Sequence, residues 1–117
     1  MFVKPCRNSE IRMVRGTSQL LEIRVTDGHG APYVLSEGDV IRFGVKYEEG
    51  NGAYLVKKQS STLTDGITRI HLTPEDTMEM EPGRYKFDIG LQTGEDYFPV
   101  VAYSDFILVP NVTEKEV

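Results

Sequence analysis

From Ile11 to Val109 the chain alternates apolar and polar residues in short runs separated by turn-forming clusters, the pattern of half-buried β-strands. Ile11 and Met13 flank Arg12 in the first run. Between Gln19 and Thr26, Leu21, Ile23 and Val25 share one side and Glu22 and Arg24 the other; Asp27-Gly28-His29-Gly30-Ala31-Pro32 then supplies turn chemistry. From Asp39 to Tyr47, Ile41, Phe43, Val45 and Tyr47 oppose Arg42, Gly44 and Lys46. Glu48-Glu49-Gly50-Asn51-Gly52 predicts a hairpin, because Asn-Gly tolerates positive φ. Ala53 to Ser60 alternates less cleanly and reads as an edge strand, with Lys57 and Lys58 discouraging sheet-to-sheet association. Ile67 to Thr73 turns Ile70 and Leu72 inward. Arg84 to Gln92 sets Tyr85, Phe87, Ile89 and Leu91 against Arg84, Lys86, Asp88 and Gln92, and a last run extends from Tyr97 to Val109, with Pro99 or Ser104-Asp105 as places where it bends.

One segment breaks the period of two. Thr73 suits a helix N-cap, Pro74 the first helical position, and Glu75 and Asp76 the positive helix end, while Pro82-Gly83 closes the segment. The prediction is one short helical turn near residues 74–80. The whole pattern predicts an all-β chain, an immunoglobulin-like β-sandwich of about seven antiparallel strands. Tyr85, placed just after Pro82-Gly83 at the start of the sixth run, matches a tyrosine corner, in which the hydroxyl returns to nearby backbone; a core aromatic is the alternative.

A chain of 117 residues has room for one domain spanning 1–117, with flexible ends at 1–8 and 111–117. The net charge of −5 and the scattered basic residues argue against nucleic acid as a partner. No apolar stretch approaches a membrane span and the N-terminus lacks a signal-like apolar core, so a cytoplasmic product with no membrane partner is expected. Cys6 is the single cysteine, so stability has to come from packing rather than an intrachain disulfide. Cys6 itself reads better as a bystander than as a reactive thiol.

The chemistry expected of an enzyme is missing. His29 lies in a glycine-rich turn and His71 on an outward position beside Arg69, so both read as solvated rather than catalytic, and no zinc set forms from them. Ser36, Ser60, Ser61 and Ser104 have no nucleophile-elbow context. The acidic cluster Glu75, Asp76, Glu79 and Glu81 lacks calcium-loop spacing and reads as a solvated face. Asn111-Val112-Thr113 has the form of a glycosylation acceptor without the secretory context that would use it. No catalytic residue, metal or cofactor is expected.

The last run departs from one-sided alternation. Phe98, Val100, Ala102, Phe106 and Leu108 are apolar, and so are Tyr97, Val101, Tyr103, Ile107 and Val109 on the other parity. Three explanations are open: the strand changes sheets at Ser104-Asp105; the N-terminal residues Phe2 and Val3 cover it; or another subunit does. The third makes Tyr97, Val101, Tyr103 and Ile107 a candidate protein interface, since aromatic residues anchor interfaces.

Several segments in order resemble the N-terminal domain of the phage baseplate upper protein family of phages and prophages of Gram-positive bacteria. They are Arg15-Gly16-Thr17, Leu21-Glu22-Ile23-Arg24-Val25-Thr26-Asp27, Gly30-Ala31-Pro32-Tyr33-Val34-Leu35 and Val40-Ile41-Arg42-Phe43-Gly44-Val45-Lys46. After a divergent middle come Leu72-Thr73-Pro74-Glu75-Asp76-Thr77, Pro82-Gly83-Arg84-Tyr85, Phe87-Asp88-Ile89 and Phe106-Ile107-Leu108-Val109-Pro110-Asn111-Val112-Thr113. The resemblance implies a virion structural protein without catalysis. It would pack against other baseplate or tail proteins or as a homo-oligomer, and would reside in the host bacterial cytoplasm during assembly and then in the virion. Members of that family commonly continue into receptor-binding parts, whereas this sequence stops at Val117, which leaves open a stand-alone relative, an excised domain or a different tail protein. Ser36-Glu37-Gly38 and the irregular fourth run also depart from the family pattern. The competing class is an immunoglobulin-like module for a cell-surface carbohydrate or protein, with Tyr33, Tyr47 and Tyr54 as candidate stacking residues.

Overall fold

The structure is a computed structural model that describes residues 10–47 and 53–111. Phe2, Val3, Cys6, the Glu48–Gly52 hairpin and the tail after Asn111 lie outside the described residues. The chain is all-β, in two sheets. The strands are β1 (Ile11–Val14), β2 (Gln19–Arg24), β3 (Val40–Tyr47), β4 (Val56–Ser60), β5 (Ile67–Leu72), β6 (Gly83–Thr93) and β7 (Asp96–Val109), with one helical turn, α1 (Pro74–Met78), between β5 and β6.

One sheet has the order β1-β7-β6-β3-β4 and the other pairs β2 with β5. The inward residues of both sheets form a single core, in which Ile41, Phe43, Val45, Leu91, Phe106 and Leu108 face Ile23, Val25, Ile70 and Leu72. Alternation explains the division: β3 buries Ile41, Phe43 and Val45 and turns Arg42, Gly44 and Lys46 to the other face. The sandwich is closed on one side by polar contacts. Ser60 on β4 shares a 2.6 Å hydrogen bond with Thr68 on β5, and Lys58 pairs with Asp76 of α1 at 2.9 Å.

One pairing departs from the all-antiparallel expectation. β1 runs parallel to β7, with Ile11 opposite Phe106 and Val14 opposite Val109, and Arg15 N–H continues the ladder to the Val109 carbonyl at 2.9 Å. Periodicity marks which residues are strand but carries no information on strand direction, so the first run could not declare this.

At the end of β1 the backbone turns at Gly16, whose φ of 72° is in the left-handed region that favours glycine. That turn brings Arg15 onto α1. Its Nη2 donates to the Met78 carbonyl at 2.6 Å, its Nε to the Met80 carbonyl at 3.1 Å and its Nη1 to Asn111 Oδ1 at 3.2 Å, while Gly16 N–H donates to the fully buried Thr77 hydroxyl at 2.8 Å. The carbonyls at the C-terminal end of a helix are unpaired and partially negative, so a guanidinium there satisfies both hydrogen bonding and charge. Just beyond, Tyr85 donates its hydroxyl to the Glu81 carbonyl, spanning the turn at Pro82-Gly83.

The start of α1 depends on a carboxylate. Asp76 Oδ2 accepts the Thr73 N–H at 2.7 Å and the Lys58 ammonium. Burial alone would raise the Asp76 pKa, but the Thr73 N–H and Lys58 outweigh it and hold the carboxyl below its ordinary value of 3.8. A depressed folded-state pKa contributes stability that is fully present above the unfolded value and lost as pH falls through the folded one. Urea denaturation followed across pH 3 to 7 is therefore expected to show stability dropping in the acid limb. Asp76→Asn should cost about 1 kcal/mol at neutral pH and flatten part of that limb. An acid limb identical in wild type and variant would remove Asp76 from this role.

Candidate functional site

The outer face of the five-stranded sheet carries the side chains that the core rejects. β3 contributes Arg42, Gly44 and Lys46; β4 contributes Lys57 and Gln59; β6 contributes Arg84, Lys86, Asp88, Gly90 and Gln92. Two of these positions are glycine, and each leaves a trough in a surface otherwise covered by long side chains. Tyrosine rings fill both. A Cβ on Gly44 would stand 2.4 Å from a Tyr54 ring carbon, and a Cβ on Gly90 would stand 2.0 Å from the Tyr97 hydroxyl, distances no real pair of atoms adopts. Only glycine lets the rings approach the backbone this closely.

The rings remain half open to solvent: Tyr54 is 51% exposed and Tyr97 53%. The part of Tyr97 that loses water is its hydroxyl end, against Gly90. Burial pushes that hydroxyl's pKa up, helped by Asp88 and Tyr54 and opposed by Arg42. Asp88 is likewise pushed up by loss of water, with Lys46 acting in the opposite direction. Tyr103, 57% exposed, has Lys86 over its ring at 5.1 Å from the centroid. Lys46 and Lys57 both sit over Tyr54, at 4.6 and 5.4 Å, within the range of cation–π attraction.

Polar contacts hold this surface in register. Arg42 bridges three strands, its Nε donating to Gln92 of β6 and its Nη1 to Gln59 of β4, each at 2.8 Å. Asp105 on β7 accepts from Lys86 and from Arg84 on β6. The Lys86 hydrogen bond first, with the charges of Lys86 and Arg84, holds the Asp105 carboxyl below its ordinary range. The result is a shallow surface. A depression of about 200 Å³ runs between Tyr54 and Tyr103 across Gly44, Lys46, Lys86 and Asp88.

The candidate interface residues separate into two environments. Tyr97 and Tyr103 are exposed and Ile107 is half-buried at an outward position of β7. Val101 is 8% exposed and belongs to the core with Phe87 and Ile89, so it does not share their face. The cause is a pair of register shifts between β6 and β7. Phe87 lies opposite Ser104 and Leu91 opposite Phe98, so β7 uses two more residues than β6 over the same stretch. Val100 and Val101 are both buried, Ala102 and Tyr103 are both exposed, and inward parity resumes at Ser104. The strand therefore does not change sheets at Ser104-Asp105. It stays in one sheet and slips its parity, which accounts for part of its two-sided apolar character.

The alternative tyrosines also divide. Tyr33 is 6% exposed and is a core residue. Tyr47 is exposed but packs against Tyr85 at 5.9 Å at the end of β3, away from Tyr54. Tyr54 alone of the three lies on the outer face. The glycine troughs and the lysines above the rings were not anticipated from sequence, although glycine at an outward position within a regular strand is a signal of close approach. Among the described residues, no group of His, Cys, Asp and Glu is arranged to hold a metal ion, and no helix is long and apolar enough to cross a membrane. No family model matches the chain, and no curated protein matches it.

Proposed function

We propose that this chain is a non-catalytic, immunoglobulin-like interaction module of a phage or prophage particle, part of a baseplate or tail, that binds other proteins through the outer face of its five-stranded sheet. The observation that carries the binding reading is the exposure of Tyr97 and Tyr103 along strand β7, both beside charged groups. Large amphipathic rings held by a sheet bind at small entropic cost, which is why aromatic anchors dominate interfaces. The shallow relief of the face suits a partner surface better than a small molecule. The immunoglobulin-like part is supported by the order β1-β7-β6-β3-β4 opposed to β2-β5, and by the Tyr85 hydroxyl bonded back to Glu81. The phage part rests on the ordered sequence resemblance.

Co-expression with the products of neighbouring genes tests the proposal. The wild-type chain is expected to co-purify with a tail or baseplate protein, and Tyr103→Glu is expected to abolish this while leaving the circular dichroism spectrum unchanged. Undiminished co-purification of the variant would contradict the role of this face. A carbohydrate is the second reading, favoured by the half-open rings of Tyr54 and Tyr97 beside the Arg42, Gln59 and Gln92 polar groups. Binding of the wild-type chain to an oligosaccharide, with no protein partner among the neighbouring gene products, would decide for it.

A further inference from the structure

The charge of the chain is unevenly spread. Overall it is acidic, at −5, yet among the described residues β3, β4, β6 and β7 turn Arg42, Lys46, Lys57, Arg84 and Lys86 to the outer face of the five-stranded sheet against Asp88 and Asp105, while Arg12 on β1 is paired with Glu10. Arg84 and Lys86 are both used by Asp105. The other cations form no ion pair among the described residues: Arg42 bonds to two neutral glutamines, Lys46 and Lys57 rest over the Tyr54 ring, and Asp88 beside Lys46 is the one carboxylate near them. Three cations around one ring repel each other, and the single carboxylate of Asp88 offsets only part of that charge.

The matching surplus lies at another place in the same chain. α1 ends at Met78 with no basic residue of its own in the last turn, Arg15 reaching its carbonyls from the end of β1, and the next exposed side chains are Glu79 and Glu81. Neither forms an ion pair among the described residues. They flank a groove of about 340 Å³ whose other walls are Tyr47, Leu55, Met80 and Tyr85, with Tyr47 exposed. One end of the sandwich is thus an acidic groove with an aromatic wall. One sheet face is a basic patch built around a protruding tyrosine.

We infer that two copies of this chain associate head to tail, the Arg42–Lys46–Lys57 patch around Tyr54 on one copy docking against the Glu79–Glu81 groove of the next. The argument is charge complementarity. The occupant fits because both halves of the contact, with surplus charge of opposite sign, are present on one molecule. The contact joins unlike surfaces, so it is heterologous, and it extends into a ring or an open chain rather than stopping at a two-fold dimer. It centres on β3 and β4, whereas partner binding is tested at Tyr103 on β7, so failure of the one is distinguishable from failure of the other.

Sedimentation velocity over a concentration series tests the inference. At about 50 mM salt the wild-type sedimentation coefficient is expected to rise with concentration, and at about 500 mM the apparent affinity should weaken at least about tenfold, because exposed charges are screened. The double variants K46E/K57E and E79K/E81K should each remain monomeric. Mixed in equal amounts they should associate again, since the acidic groove of the first meets the basic face of the second, and the converse pairing is restored too. That recovery also shows that both variants are folded. A wild-type chain that stays monomeric, a mixture that fails to associate, or association that persists in high salt and in both separate variants would each overturn the head-to-tail contact.

Discussion

Val101→Glu is expected to cost about 4 kcal/mol of stability, enough to leave much of the protein unfolded, whereas Tyr103→Glu is expected to change stability by about 0.5 kcal/mol or less. The two residues are separated by one position and have the parity of a shared strand face, so uniform alternation would assign them the same environment. The register shifts give them opposite ones. Val101 lies with Phe87 and Ile89 in the core, where a carboxylate would have no partner and would lose its hydration. Tyr103 faces solvent beside Lys86, where a carboxylate remains hydrated and finds a cation. Equilibrium urea denaturation of the two variants checks this directly. Similar midpoints would mean that β7 does not slip relative to β6.

Arg15→Ala is expected to lose about 3 kcal/mol, more than an ordinary surface substitution. Its guanidinium bonds to the Met78 and Met80 carbonyls and to Asn111, which ties the end of β1 to α1 and to the residues following β7. Removal leaves two carbonyls at the helix end without their charged donor. Arg15→Lys should recover little of the loss, because one ammonium cannot reproduce a planar fork that reaches three acceptors in different directions. Denaturation midpoints of the two variants test the claim. A lysine variant as stable as wild type would reduce the site to a charge effect at the helix terminus.

Much of the architecture was legible in the sequence. Phe43 and Phe87 announce themselves as core by alternation, and Thr73-Pro74 with Pro82-Gly83 brackets the helical turn. Tyr85 meets its carbonyl four residues upstream, as its position after the turn indicates. These are local signals, fixed by the pleat and by turn chemistry. What was not legible depends on pairs distant in sequence. The parallel alignment of β1 with β7 depends on how the chain is wound, not on either strand's own pattern. The position of Val101 depends on a mismatch in length between β6 and β7. The candidate face was half visible: Tyr97 and Tyr103 stood out because they violated alternation, while Tyr54 looked like one of several scattered tyrosines. Its place above Gly44 became meaningful only with β3 and β4 side by side, because the glycine supplies a space rather than a side chain.

The parallel alignment of the first and last strands has a consequence for how the molecule is made. Ile11 finds its neighbour at Phe106, and Arg15 finds Asn111 across 96 positions of chain. On a ribosome, β1 emerges before the other strands of its sheet and has to wait for all of them before its partner exists. The large sheet is therefore completed only after synthesis of the C-terminal strand. Its folding belongs with the slow regime of non-local β topologies, about milliseconds to seconds, with loop closure across almost the full chain setting the pace.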